Sequence, residues 1–134
     1  MKIIFIFLSN LIFFMSCLKE YLFFIFSSSN PESVQKKILK RIIIKNINTL
    51  YAKENNFISI NDCNDFRNLK ITSYEDYSFY LKKCFNGEKN ILTKDNITLF
   101  EPTSGSSGSK KFIPYNNSLK NEFNRAIKPW ITNI

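Results

Sequence analysis

Hydrophobic positions are massed at the start of the chain and spaced out after it. Ile3 to Leu8 contains no polar residue, Ser9 and Asn10 interrupt, Leu11 to Met15 resumes, and Lys19-Glu20 precedes a second apolar run from Tyr21 to Phe26. A membrane-crossing helix wants about 20 predominantly apolar residues, and Ile3 to Leu18 offers 13 apolar in 16 before the charge pair. Residues 1-29 are therefore read as one apolar N-terminal segment with three open readings. It is a helix packed on the protein or lying at an interface, a signal or lipoprotein segment processed near Ser16-Cys17, or a membrane span.

From residue 30 the pattern becomes amphipathic and punctuated. Asn30-Pro31-Glu32 reads as a helix start, with Asn as N-cap, Pro at the first helical position and an acid in the first turn. Val34, Ile38, Leu39, Ile42 and Ile47 supply an apolar face for a helix of about five turns, and Lys36, Lys37, Lys40, Arg41 and Lys45 fall mostly opposite. Asn61 or Asp62 caps a short turn that carries Phe66. Ser73 to Asp76 resembles a capping box ahead of a helix with Tyr77, Tyr80, Leu81 and Cys84 on one face, and Gly87 ends that helix. Strand-like runs follow at Ile91-Leu92-Thr93, Ile97 to Phe100 and Phe112 to Tyr115. A last helix is capped by Asn116 or Asn117, lined by Leu119, Phe123, Ile127, Trp130 and Ile131, and kinked or ended by Pro129.

Composition narrows the chemistry. A chain of 134 residues allows one sizeable core. With no His, the Ser-His-Asp and Cys-His mechanisms are excluded. Cys17, Cys63 and Cys84 lack any C-x-x-C spacing, so the cysteines signal neither a zinc site nor a disulfide framework and read as ordinary thiols of a cytoplasmic chain. The net charge is +8, but Lys outnumbers Arg 16 to 3. Bidentate recognition of nucleic acid favours Arg, so the charge reads mainly as solvated surface rather than a nucleic-acid face.

The informative constellation is Thr103-Ser104-Gly105-Ser106-Ser107-Gly108-Ser109-Lys110-Lys111. Two glycines permit close backbone approach to an anion, the hydroxyls add donors, and a lysine adds charge. The composition also fits a flexible linker, although it joins two strand-like runs. Gly105 and Gly108 are three apart and no helix opens directly after the lysines, so this is not a Walker loop.

Thr103 to Pro114 resembles the T-S-G-[TS]-[TS]-G-x-x-K-x-I-P signature of the auxin-responsive family of acyl acid-amido synthetases, within the adenylate-forming superfamily. Supporting matches are Asn30-Pro31, Gln35, Leu39, Thr49, Tyr51, Phe57, Ile60, Phe66, Tyr74-Glu75-Asp76, Gly87-Glu88 and Phe123 to Trp130. The resemblance implies an α/β chain, residues 30-134 being the N-terminal part of an adenylate-forming fold, mostly helical, with a small sheet carrying a Ser/Gly phosphate loop. It implies an ATP-dependent ligase, using Mg in the intact enzyme, that adenylates a carboxylic acid and passes it to an amine or amino acid. Carried over by position, Thr103, Ser104, Gly105, Ser106, Ser107, Gly108 and Lys111 would bind the ATP phosphates. The family's adenine, acyl and C-terminal segments have no counterpart here, so the chain is expected to be the leading piece of a longer protein and inactive by itself. The alternative expectation is a small membrane-surface or interaction module anchored by residues 1-29.

Overall fold

A computed structural model describes residues 2–103 and 110–133, and within them the chain is mostly helical with one two-stranded antiparallel sheet. The chain divides into two compact units, 1–34 with 119–134, and 35–118.

The first unit is built on α1 (Lys2–Ser28) and most of α6 (Asn117–Thr132). The polar positions that punctuate the apolar sequence do not break α1. Ser16 and Ser28 fold back to donate to the carbonyls of Phe13 and Ile25 at 2.8 and 2.7 Å, and the segment holds no Gly or Pro to stop a helix. Near its C-terminal half α1 meets α6. Cys17 is fully buried, Glu20 accepts a hydrogen bond from Arg125 Nε at 3.0 Å, and the Arg125 guanidinium lies 5.2 Å from the centre of the Phe23 ring. Every residue from Ile3 to Met15 is exposed. Pro129 does not end α6, which continues to Thr132. With no N–H to give, it leaves the Arg125 carbonyl without its i→i−4 partner, a loss of one bond that does not stop the helix.

The second unit begins within α2 (Pro31–Asn46), whose start is as the sequence implies: Asn30 Oδ1 accepts from Ser33 N at 3.2 Å. The buried face differs from the one expected. Ile43 is buried with Leu39 and Ile47 half-buried beside it, while Ile38 and Ile42 are exposed. An i, i+4 row is enough to seat a helix on one neighbour.

Thr49 then caps α3 (Leu50–Glu54), its Oγ1 accepting from Ala52 N at 3.2 Å in a fully buried position. The next two helical N–H groups are satisfied from far along the chain. Leu50 N donates to Asn90 O at 2.8 Å and Tyr51 N to Ile91 O at 3.1 Å. For this reason Ile91-Leu92-Thr93, read from sequence as a strand, forms bends. The carbonyls of Asn90 and Ile91 close a helix N-terminus, and Ile91 plugs the core with Ile43, Ala52, Leu81 and Cys84.

Asp62 caps α4 (Cys63–Arg67), accepting from Asn64 N and Asp65 N at 2.7 and 3.0 Å, and these N–H groups hold its carboxyl below the usual range. After a single 3-10 turn over Glu75–Tyr77, α5 (Ser78–Phe85) ends in a Schellman motif. Gly87 N donates to Cys84 O at 3.0 Å and Glu88 N to Lys83 O at 3.1 Å, with Gly87 at φ +80°. The sheet pairs β1 (Leu99–Thr103) with β2 (Lys111–Tyr115).

Candidate functional site: the stem of the Ser/Gly loop

The register runs from Leu99 opposite Tyr115 to Thr103 opposite Lys111. Of the residues expected to meet phosphate, Ser104, Gly105, Ser106, Ser107 and Gly108 lie outside the described residues. Thr103 and Lys111 are described, and the hairpin makes them direct cross-strand partners at the mouth of that segment. Opposed side chains of an antiparallel pair stand on one face, about 5 Å apart at Cβ. Two residues eight positions apart in sequence, one bearing a hydroxyl and one an ammonium, are thus paired at the two ends of that segment.

Two prolines lie inside this small sheet, and the register explains why it tolerates them. Phe112 N donates to the Tyr74 hydroxyl at 2.8 Å, and the same hydroxyl donates to Phe112 O at 3.3 Å. The Phe112 N–H therefore points away from β1, and the Pro102–Phe112 pair needs no ladder bond from Pro102. By the two-residue period of the pairing, Pro114 opposite Phe100 is placed in the same way. At the far end Thr98 N and Oγ1 both donate to Tyr115 O, at 2.8 and 3.1 Å.

Aromatic packing fixes the sheet on the rest of the unit. Phe85, at the end of α5, stacks on Phe100 at 3.9 Å between ring centres and meets Phe112 edge-on at 5.6 Å. Lys111 is held on the other face. Its ammonium lies 5.2 Å from the centre of the Tyr74 ring and 3.7 Å from Glu75 Oε1. Glu75 sits below the usual carboxyl range, first because its own backbone N–H bonds it, then through the Ser73 hydroxyl and the Lys111 charge. Lys110 is exposed.

Tyr74 and Glu75 are carried by a braced turn. Ser73 N and Oγ both donate to Asp76 Oδ2, at 2.7 and 3.1 Å, which keeps the Asp76 carboxyl ionised to lower pH. Only half of the expected capping box forms: Asp76 accepts from the Ser73 N–H, while the Ser73 hydroxyl donates to the same carboxylate and caps no helical N–H. Behind the turn, Tyr77 stacks on Tyr51 at 5.5 Å, their hydroxyls lie 3.3 Å apart, and Thr72 Oγ1 lies 2.8 Å from the Tyr77 hydroxyl. Burial, followed by the Tyr77 hydrogen bond, raises the Tyr51 phenol well above its ordinary value, so it stays a neutral structural group. Tyr80 donates to Glu54 and packs edge-on against Tyr51. The tyrosine stripe is packing, as its helical spacing implies.

By sequence alone Tyr74 belongs only to a cap and to the family resemblance. Its grip on Phe112, 38 positions away, has no local signature. Lys45 was likewise read as solvated, yet it bonds Asp95 and, at 2.9 Å, Ser118 Oγ, and Lys45 and then Ser118 lower the Asp95 carboxyl. Elsewhere in this unit a cleft of about 410 Å³ is lined by Ile43, Ile44, Ile47, Phe57, Ile58 and Ile60, with Lys36, Lys37 and Lys40 also in its wall. Among the described residues no three His, Cys, Asp or Glu side chains converge as a metal site would require.

The similarity to known proteins covers most of the chain. Residues 22–134 match the description "GH3 family N-terminal domain". Three relatives from Arabidopsis thaliana are similar over 88 to 99 residues. Indole-3-acetic acid-amido synthetase GH3.4 is 33% identical over 99 residues, covering 72% of this chain, and indole-3-acetic acid-amido synthetase GH3.2 is 35% identical over 88 residues, covering 63%. The 4-substituted benzoates-glutamate ligase GH3.12 is 38% identical over 93 residues, covering 67%. Each alignment takes in 16% of the relative's own length. Since the match runs through α2, the Tyr74 turn, the hairpin and α6 and takes in most of the chain, this protein belongs to the GH3 family, over that family's N-terminal domain.

Proposed function

We propose that this chain contributes the phosphate-binding part of an ATP-dependent acyl acid-amido synthetase, the remainder of the adenylate-forming fold lying in segments it does not contain. In that reading the whole enzyme activates a carboxylic acid as its adenylate, releases pyrophosphate and transfers the acyl group to an amine or amino acid. The names of the relatives support such substrates. The observation that carries the reading is the hairpin stem, which sets Thr103 opposite Lys111 across the T-S-G-S-S-G segment. Thr103 would offer a hydroxyl donor, Ser104 to Gly108 backbone and hydroxyl donors, and Lys111 a compact positive charge. ATP, with Mg in the intact enzyme, would bring the scissile phosphoanhydride; these residues hold its charge.

Positioning of acid, nucleotide and acceptor together supplies much of the rate in such chemistry. The chain alone is therefore expected to bind phosphate without turning over. Calorimetric titration of the chain with ATP and with pyrophosphate tests this: the two should compete for one site, and no pyrophosphate should be released from ATP in the presence of mixed carboxylic and amino acids. Absence of binding to either ligand contradicts the phosphate reading, and release of pyrophosphate contradicts the inactivity.

A second reading concerns α1, because Ile3 to Met15 is exposed and, apart from Ser9 and Asn10, apolar. A helix of that kind finds its cover in lipid or in another protein. All 27 residues of α1 would be long enough to cross a bilayer. The Glu20–Arg125 pair, however, limits the freely apolar part to Ile3–Leu18, about 24 Å at 1.5 Å per residue and short of the roughly 30 Å hydrocarbon core. Partial insertion into a membrane surface fits better than a full crossing. Co-sedimentation with phosphatidylcholine vesicles should be lost in a Phe5→Lys/Ile12→Lys variant; equal sedimentation of both proteins removes this reading.

A further inference from the structure

We propose that Tyr74 and Glu75 form a positioning pair for Lys111: Tyr74 fixes the strand that carries the lysine, and Glu75 holds its ammonium until a phosphate takes the place of the carboxylate. The inference rests on the reading that Lys111 meets phosphate, and goes beyond it by assigning the residues that set the lysine's place and charge.

Three contacts meet at one short segment. The Tyr74 hydroxyl uses both its donor and its acceptor capacity on the backbone of Phe112, the residue next to Lys111. That arrangement satisfies the outward-facing N–H and C=O of β2, which would otherwise seek water, and pins the strand's height relative to the turn. The face of the Tyr74 ring, 5.2 Å from the Lys111 ammonium, adds an attraction that favours one position of a flexible side chain. Glu75 Oε1 at 3.7 Å completes the arrangement from the adjacent residue.

The Glu75 contact is long and lies at the surface, the carboxylate side chain being 72% exposed and Lys111 38%. Exposed pairs of this kind are weak. A polyphosphate, with more negative charge and more acceptor oxygens, outcompetes a single carboxylate for the ammonium. The ring contact and the Phe112 bonds involve no anion and can persist while Glu75 is displaced. Removing the tyrosine hydroxyl and removing the glutamate charge should therefore shift phosphate affinity in opposite directions, which a purely structural role for the turn would not do.

The test uses the full chain, inorganic pyrophosphate as the probe, and calorimetry at low salt. Lys111→Ala should weaken binding by ~10-fold or more, the loss of one charge-assisted contact. Tyr74→Phe, which keeps the ring, should weaken it by roughly 3–10-fold, in the range of a lost neutral hydrogen bond. Glu75→Gln should tighten it by about 2–3-fold, consistent with the small worth of an exposed pair. In the unliganded protein, Tyr74→Leu should abolish the upfield ring-current shift of the Lys111 side-chain protons in NMR spectra.

If Lys111→Ala weakens binding while Tyr74→Phe and Glu75→Gln bind like the unaltered chain, the positioning pair is refuted and the phosphate reading survives. If Lys111→Ala has no effect, or the unaltered chain does not bind, the phosphate reading falls and takes this inference with it. Should Tyr74→Phe fail to fold, the surface substitution Glu75→Gln decides alone: unchanged or weaker binding overturns the proposal.

Discussion

The two compact units keep their apolar side chains in different company. In 35–118, several element ends are held by a specific local contact: Thr49 on α3, Asp62 on α4, Asp76 at Ser73, Gly87 at the end of α5, and Tyr74 on β2. A modest core of Ile43, Thr49, Ala52, Leu81, Cys84 and Ile91 suffices there because these caps fix where each element starts and stops. In 1–34 with 119–134, apolar residues are far denser, yet among the described residues only Cys17 is buried, and the Glu20–Arg125–Phe23 contact supplies the polar definition. Hydrophobicity drives burial only where a partner surface is presented, and polar punctuation decides which surfaces meet.

If that contrast is right, truncations of equal chemistry should have unequal costs. Leu81→Ala, at a buried position, should destabilise by about 2–4 kcal/mol, whereas Ile12→Ala on the exposed part of α1 should stay within about 0.5 kcal/mol. Urea denaturation followed by far-UV circular dichroism measures both. Similar losses at the two sites would mean that the first unit is as firmly packed as the second.

The caps come next in size. Thr49→Ala should cost about 1–2 kcal/mol, because it leaves Ala52 N without its partner in a buried place, and Thr49→Ser should recover most of that. A Thr49→Ala protein that melts like the original would show that the crossing bonds from Leu50 and Tyr51 to Asn90 and Ile91 hold α3 by themselves. Gly87→Ala should cost roughly 1 kcal/mol, since φ is +80° and a Cβ there meets no other atom; the penalty is conformational rather than steric crowding by neighbours. Gly87→Asn, which tolerates the left-handed region better, should lose less in the same thermal melt.

The smallest effect is in pH. Asp62, Asp76 and Asp95 all sit below their ordinary value of 3.8 when folded. A depressed carboxyl contributes stability that is present above the unfolded value and disappears as pH falls through the folded one. Stability of 35–118 should therefore decline below about pH 4, and Asp95→Asn should flatten that decline. A pH profile unchanged by Asp95→Asn would remove the Lys45–Asp95 pair from the account.

Much of this contrast was legible in the sequence wherever the determinant was local. Asn30-Pro31, Asp62 and Gly87 each announce a helix end within four residues and are realised, whereas Ser73 to Asp76 forms half of its expected box and opens a 3-10 turn. The hairpin was also foreseeable in outline, although its strands run through Glu101-Pro102-Thr103, which the proline made look like loop. The failures are non-local. Ile91-Leu92-Thr93 has the composition of a strand, but the carbonyls of Asn90 and Ile91 are claimed by the N-terminus of α3, 40 positions earlier. Burial of Ile43 rather than Ile38 depends on which neighbour α2 meets, and periodicity alone did not single out that face. For the loop, motif spacing pointed to Thr103 and Lys111 and the pairing register brings them together. The residues that hold the lysine came from a tyrosine whose sequence role looked like capping alone.

The most direct test of the central claim is to compare Lys111→Ala with Lys110→Ala in titrations with ATP. The two lysines are neighbours and equal in charge, but only Lys111 lies opposite Thr103 at the stem and against Tyr74. Lys111→Ala should weaken binding by ~10-fold or more, and Lys110→Ala by less than about 2-fold. Equal losses would reduce the interaction to nonspecific attraction by a chain of net charge +8, and the phosphate-binding reading would be wrong.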